Sequence, residues 1–185
     1  MINLLQNKTV FGEKNERGKI MKKQALVILC LIIGCGILTS CGAGSKEVSC
    51  IDIVKACSQI ADKGSFDTYT TYGEDLYKDS FDTMYGVQYD MLDDGAVLYT
   101  ESGGKADEIS IMHLKNNADV SIAKRKLEDR ISERRNMFAN YKPEEVSKLD
   151  SAYVIVQGNY VVLIISDDNQ KFETEIRKNI SKEAE

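Results

Sequence analysis

The sequence contains very little histidine, and this limits the chemistry open to it. His113 is its single histidine, and no Cys/His cluster of the kind that binds zinc surrounds it. A nucleophile elbow, or another signature of a catalytic triad, is also missing from the sequence. We therefore expect His113 to be a strand residue at the sheet surface. We expect no catalytic residue, no cofactor and no bound metal.

The chain also lacks an excess of positive charge. Of its 185 residues, 24 are Lys or Arg and 29 are Asp or Glu. Residues 1–40 hold six of the basic and two of the acidic residues, so the remaining 145 residues have a net charge of −9. Phosphate backbones and anionic lipid headgroups repel a domain this acidic, so we expect no nucleic-acid partner. A length of 145 residues is enough for one domain with a continuous core.

An apolar run long enough to cross a membrane is missing too. The run at residues 25–38 has about 14 residues, the length of a signal-peptide core, whereas a spanning helix needs roughly 20. It follows the positively charged segment Met21-Lys22-Lys23 and ends at Leu38-Thr39-Ser40-Cys41, which resembles the bacterial lipobox. The resemblance implies cleavage between Ser40 and Cys41 and a diacylglyceryl group on the Cys41 thiol. An uncleaved anchor helix is the alternative, and two glycines inside the run weaken it.

These signals divide the chain into four segments. We predict residues 1–20 to be a non-native upstream extension, because signal peptides begin a few residues before their basic cluster; a genuine extended n-region is the alternative. Residues 21–40 are the predicted lipoprotein signal peptide, and residues 41–49 the lipidated tether. A tether of about eight residues reaches at most roughly 28 Å. The domain predicted at residues 50–182 is therefore expected close to the extracytoplasmic face of the membrane.

Hydrophobic periodicity predicts four helices and four strands in the domain. The helices are expected at about 50–62, 74–85 and 118–140, with a last one opened by Asp167, whose spacing to Gln170 resembles a capping box. Pro143 ends the long helix. The strands are expected at 96–101, 108–114, 153–157 and 160–166. Gly158-Asn159 is suited to the tight turn between the last two.

This order of elements predicts an α+β fold. We expect an antiparallel four-stranded sheet of two hairpins, packed against the long central helix and the terminal helices, with the helices on one face. The strand at 160–166 is apolar on both sides and is therefore expected inside the sheet.

Four segments of the domain carry a family resemblance. They are residues 106–111 (ADEISI), Arg130, 141–144 (YKPE) and 157–166 (QGNYVVLIIS). In this order and at these separations the chain resembles the DUF4358 lipoproteins of Gram-positive Firmicutes over roughly residues 50–180. The resemblance implies a location and a domain type. Because the family has no established reaction, it implies no catalytic residues.

The cysteines and acidic pairs of the domain have plain structural interpretations. Cys50 and Cys57, seven residues apart on one helix, are separated by about 10.5 Å, so buried thiols are favoured over a disulfide or a redox pair. Three acidic pairs are interpreted as a turn, a helix start and an N-cap rather than as glycosidase carboxylates or a calcium loop. They are Asp93-Asp94, Glu144-Glu145 and Asp167-Asp168.

Tyrosines and arginines form two further groups. The tyrosines could stack on sugar rings or anchor a protein interface, but packing between helices and sheet edges is the favoured interpretation. They are Tyr69, Tyr72, Tyr77, Tyr85, Tyr89 and Tyr99. Arg130, Arg134 and Arg135 alternate with acidic residues, which predicts a solvated, ion-paired helix face.

We therefore expect a membrane-anchored extracytoplasmic lipoprotein that acts as a non-enzymatic interaction or accessory module of the cell envelope. Its expected partners are the membrane, through the lipid on Cys41, and an envelope protein or wall component. The alternative is a cell-wall-acting enzyme or enzyme inhibitor with a tyrosine-lined groove. A pocket lined by tyrosines and convergent carboxylates would favour the alternative, and a filled core would favour the interaction module.

Overall fold

A computed structural model describes residues 48–181. The predicted signal peptide, the Ser40–Cys41 cleavage site and residues 1–20 lie outside the described residues and stay predictions. No helix within 48–181 is long and apolar enough to span a membrane. The elements, in chain order, are α1 (Cys50–Ile60), β1 (Thr68–Thr71), α2 (Asp75–Tyr85), β2 (Leu92–Tyr99), β3 (Glu108–Leu114), α3 (Val120–Tyr141), α4 (Val146–Ser151), β4 (Tyr153–Gln157), β5 (Tyr160–Ile165) and α5 (Asn169–Ser181).

The strands form one antiparallel sheet in the order β1-β2-β3-β5-β4. Its mixed helix and sheet content confirms the α+β class, but the sheet has five strands rather than the predicted four. The additional strand, β1, has the sequence TYTT, which shows no apolar alternation, and it pairs with the second half of β2. The hairpin of β4 and β5 is confirmed, with Gly158 in its turn at φ 57°, and β5 lies inside the sheet as expected.

Apolar side chains cover both faces of the sheet, so the expectation of helices on one face is wrong. On the first face, Val161, Leu163 and Ile165 of β5 form a core with Leu127 of α3. Ile131, also on α3, packs against this core. Side chains from α2 and α4 complete that core. On the second face, the alternate residues of β5 pack against α1 and α5. The physical reason is the burial of all six β5 side chains, which requires cover on both sides.

Local signals fix the ends of several helices. The Asp94 carboxylate accepts hydrogen bonds from the Cys50 backbone N–H at 2.7 Å and from the Ser49 hydroxyl at 3.1 Å, at the start of α1. Helix α2 ends at Gly86, which has the left-handed φ of 62°. At the start of α5 the side chain of Asp168 accepts the N–H of Lys171 at 3.1 Å. The N-cap is therefore Asp168 rather than the predicted Asp167.

Candidate functional site

A buried carboxylate at the start of β3 lies at the centre of an ionic cluster. Glu108 is 1% exposed, and Arg130 of α3 binds it in bidentate fashion, from Nε to Oε1 and from Nη2 to Oε2, both at 2.7 Å. Arg134, one turn further along α3, donates to Oε2 at 2.8 Å. The Tyr85 hydroxyl donates to Oε1 at 2.9 Å. Burial by itself would raise the pKa of Glu108, but the charges of Arg130 and Arg134 hold that pKa below its usual value.

The two arginines are packed as well as paired. The Arg130 guanidinium lies 4.5 Å from the centre of the Tyr85 ring and donates to the Met84 carbonyl at 2.8 Å. The Arg134 guanidinium lies 5.4 Å from the Phe138 ring and donates to the carbonyl of residue 106 at 3.2 Å. The prediction of a solvated arginine face is therefore wrong for these two. The prediction is confirmed for Arg135, which pairs with Asp150, since both side chains are about half exposed.

The residue before Glu108 belongs to a second cluster. Asp107, also 1% exposed, accepts a hydrogen bond from the Lys148 ammonium of α4 at 2.7 Å. Lys148 also contacts Glu145 at 3.0 Å and Asp167 at 3.4 Å, so one cation serves three carboxylates. The second carboxylate oxygen of Asp107 is buried and has no hydrogen-bond partner. Burial first, and then the neighbouring carboxylates, raise the pKa of Asp107 against the opposing effect of Lys148.

An apolar pocket of about 130 Å³ opens between α2 and the sheet edge formed by β1 and β2. No lining residue is charged. The lining residues are Thr70, Leu76, Tyr77, Ser80, Phe81, Met84, Tyr85, Val97 and Tyr99. Three predicted tyrosines therefore line a common concavity, as the groove hypothesis required, but no carboxylate converges on it.

The pocket tyrosines are mostly packed against their neighbours. Tyr77 stacks on Phe81 with ring centres 4.9 Å apart, and Phe81 contacts Tyr85 at 5.0 Å. The Tyr77 hydroxyl reaches the sheet at Gly95, where an added Cβ would clash with it. Glycine at this position is thus required for the ring to pack. These contacts confirm the packing interpretation for the buried tyrosines, while Tyr69 is 46% exposed.

Other predicted residues have structural places. His113 is in β3 as expected but is buried rather than at the surface, because it stacks on Tyr160 with ring centres 4.3 Å apart. Cys50 and Cys57 are buried as predicted, and burial, followed by the charge of Glu175, raises the pKa of Cys57 to about 12. A thiol with this pKa is a poor nucleophile at neutral pH.

The acidic pairs are only partly as predicted. Asp93-Asp94 lies in β2, next to a register shift, rather than in a turn. Glu145 lies in a short 3-10 turn after Pro143, as expected, but its carboxylate also accepts the Ala106 N–H at 2.9 Å. Within residues 48–181, no group of three or more His, Cys, Asp or Glu side chains is placed to hold a metal ion.

Sequence reasoning missed Lys148 and the pairing of Glu108 with Arg130. Both members of that pair lie in segments of the family resemblance, so their importance was visible although their contact was not. A periodicity signal was also present: Ala123, Leu127, Arg130, Arg134 and Phe138 recur at helical spacing, which places both arginines on the core-facing stripe. For Lys148, in a helix of six residues, no comparable signal exists.

Comparisons with known proteins give one family. A family model described as a domain of unknown function, DUF4358, matches residues 67–166, just over half of the chain. The matched range contains every residue that lines the apolar pocket, as well as Asp107, Glu108 and their partners on α3 and α4. No curated protein and no solved structure matches the chain. With this coverage, the chain belongs to the DUF4358 family.

Proposed function

We propose that this DUF4358 protein is a lipid-anchored binding module on the extracytoplasmic face of the membrane of a Gram-positive bacterium, and that the pocket between α2 and the β1–β2 edge is its ligand site. The observation that carries the binding role is the pocket itself, which is apolar and concave and lies against the first core. Pockets with mostly apolar walls and few polar groups are typical of ligand sites. The anchoring rests on the lipobox-like residues 38–41.

The state of the buried charges favours binding over catalysis. General acid–base chemistry needs a titratable group within hydrogen-bond reach of the substrate. The pocket walls offer no Asp, Glu, His, Lys or Cys, and burial raises the pKa of each of their three tyrosines. The two buried carboxylates, Glu108 and Asp107, are engaged with Arg130, Arg134 and Lys148. We therefore propose that the ion clusters position α3 and α4 on the sheet and that the pocket binds its ligand without transforming it.

The tyrosines give less support to the wall-acting enzyme or inhibitor. A sugar ring needs an open aromatic face. Tyr77 and Tyr85 are 1% and 3% exposed, and both contact Phe81. Small apolar ligands fit these walls better than a glycan does.

The pocket is tested with benzyl alcohol, an uncharged probe of suitable size. Added to the full chain in neutral detergent, it should shift the NMR methyl signals of Met84, Leu76 and Val97, which line the pocket. Ser80→Trp should fill the pocket and remove these shifts, whereas Ser132→Trp on exposed α3 surface should leave them unchanged. Shifts that persist in the Ser80→Trp variant, or none in the unaltered protein, would refute the pocket as the ligand site.

The anchor is tested through Cys41. Cys41→Ser should abolish incorporation of a fatty-acid probe and removal of the signal peptide, because the serine hydroxyl cannot take the thioether-linked lipid. Conversion of a different cysteine, Cys57→Ser, should leave lipid labelling of the expressed protein intact. A labelled Cys41→Ser protein would contradict the anchor.

A further inference from the structure

The chain segments around the apolar pocket carry several negative charges, although its lining is uncharged. Residues 67–85, which form β1, α2 and their connection, contain five carboxylates and one lysine. The carboxylates are Asp67, Glu74, Asp75, Asp79 and Asp82. An apolar cavity is thus set in an acidic stretch of a domain that is itself acidic.

Hydrogen bonds fix carboxylates beside two residues of the pocket lining. Glu74 accepts from the Thr70 hydroxyl at 2.9 Å, and Thr70 lines the pocket. At the neighbouring lining residue Tyr99, the Asp67 N–H donates to the Tyr99 carbonyl at 3.2 Å, while the Asp67 carboxylate accepts the Glu101 N–H at 2.8 Å. Burial, and then the charges of Glu101, Asp67 and Glu74, raise the pKa of the Tyr99 phenol. Negative charge therefore lies along the β1–β2 side of the pocket, while the Arg130 guanidinium contacts Met84 and Tyr85 on its α2 side.

Apolar surface continues outward from the pocket. Leu76 and Met84 line it and remain 61% and 37% exposed. A free small molecule that fills about 130 Å³ would leave these side chains in water. A side chain that belongs to a larger partner would fill the cavity and cover its rim together, which is the arrangement of an interface anchor.

We propose, building on the binding role above, that the pocket receives a phenylalanine or leucine side chain from a basic segment of a partner protein, with lysine or arginine beside it. Cavities of roughly 150 Å³ accept a benzene ring, so an aromatic side chain is of suitable size. The flanking cations complement Glu74, Asp67 and Glu101, which increases the association rate and disfavours acidic partners. Anionic lipid and nucleic acid are negatively charged, so the carboxylates at the pocket mouth repel them.

Three labelled pentapeptides separate the two parts of the proposal. One has phenylalanine between two lysine pairs, the second replaces the phenylalanine with alanine, and the third replaces the lysines with glutamates. They are tested by cosedimentation with the full chain in phosphatidylcholine vesicles, with empty vesicles as background. The lysine–phenylalanine peptide should bind at least about tenfold more tightly than either other peptide, because only it supplies both the buried ring and the charge.

Charge variants with a matched control complete the test. Glu74→Gln with Glu101→Gln should weaken the lysine–phenylalanine peptide severalfold while leaving benzyl alcohol binding unchanged. Asp52→Asn with Glu144→Gln removes as much charge away from the pocket and should leave peptide binding unchanged. If benzyl alcohol binds but the glutamate peptide binds as well as the lysine peptide, the basic partner is refuted and the binding pocket remains. If Ser80→Trp leaves peptide binding unchanged, the phenylalanine side chain does not bind in the pocket and this proposal is refuted.

Discussion

Asp107 and Glu108 are consecutive residues, both 1% exposed, yet their pKa values are shifted in opposite directions. Glu108 meets two guanidinium groups and a phenol, so both of its oxygens have partners. Asp107 meets one ammonium that it shares with Glu145 and Asp167, and one of its oxygens has no partner.

The difference teaches that the surroundings of a buried carboxylate, rather than its burial, decide which form the fold favours. Burial raises the pKa in both cases. Around Glu108 the cations outnumber the carboxylate two to one, and the net result is a lowered pKa. Around Lys148 three carboxylates compete for one cation, and Asp107 retains a raised pKa. Glu108 should thus stabilise the domain through its charge, and Asp107 far less.

The largest expected effect comes from Glu108→Gln. The change leaves Arg130 and Arg134 largely buried without a counter-charge, and breaking a buried pair in this way costs about 3–5 kcal/mol. Urea denaturation of a soluble fragment, residues 46–185, measures it, since both cores lie within residues 48–181.

The matched control for that variant is Glu128→Gln. Glu128 pairs with Lys124, and both side chains are about half exposed. Removing such a surface pair costs about 0–1 kcal/mol. Equal denaturation midpoints for the two variants would show that the Glu108 cluster is not a stabilising feature.

Asp107→Asn should have a smaller effect at neutral pH. Lys148 keeps Glu145 and Asp167 as counter-charges, so the variant loses one hydrogen bond, worth about 1 kcal/mol. The same urea experiment at pH 7 measures it. A loss of unfolding free energy as large as that of Glu108→Gln would mean that the Asp107 carboxylate stabilises the fold as much as the Glu108 carboxylate does.

Acidification should narrow the stability difference between wild type and one variant and widen it for the other. This is the smallest of the three expected effects. The pKa of Glu108 is lowered in the folded protein, so its stabilisation is lost as the pH falls from about 4.3 towards that lower pKa. The gap between wild type and Glu108→Gln should therefore narrow. The pKa of Asp107 is raised, so wild type gains relative to Asp107→Asn as the pH falls through the raised pKa towards about 3.9. Parallel pH profiles for the two variants would contradict this.

The elements that sequence predicts well are those whose local signal agrees with their packing. The run 160–166 is apolar on both sides, and the glycine turn before it fixes its pairing, so β5 and its hairpin were predictable. The same run also implies cover on both faces, which α3 provides on the first face and the terminal helices α1 and α5 provide on the second. The formation of β1 depends on its pairing with β2, and no pattern in its four residues predicts that pairing.

The candidate site was less predictable because its parts meet only through tertiary packing. Asp107 and Lys148 are 41 positions apart, and Glu108 and Arg130 are 22 apart. Charged residues in a helix are normally solvated, so an arginine on the core stripe of α3 is understood only once a buried carboxylate faces it. The tyrosine-rich stretch did indicate the pocket, but not that its walls lack charge.

The strand order places β4 at an edge of the sheet, with β5 as its neighbour. Its sequence, YVIVQ, is uncharged and strongly β-forming, and Val156 is 36% exposed. Such an edge is a template for intermolecular strand addition, and natural proteins commonly interrupt it with lysine. In this protein charged side chains of α5 contact β4 instead: Glu173 accepts a hydrogen bond from the Tyr153 hydroxyl, and Arg177 donates one to Gln157. Shortening α5 would therefore remove these contacts together with buried side chains of the second core, and we expect the shortened protein to aggregate.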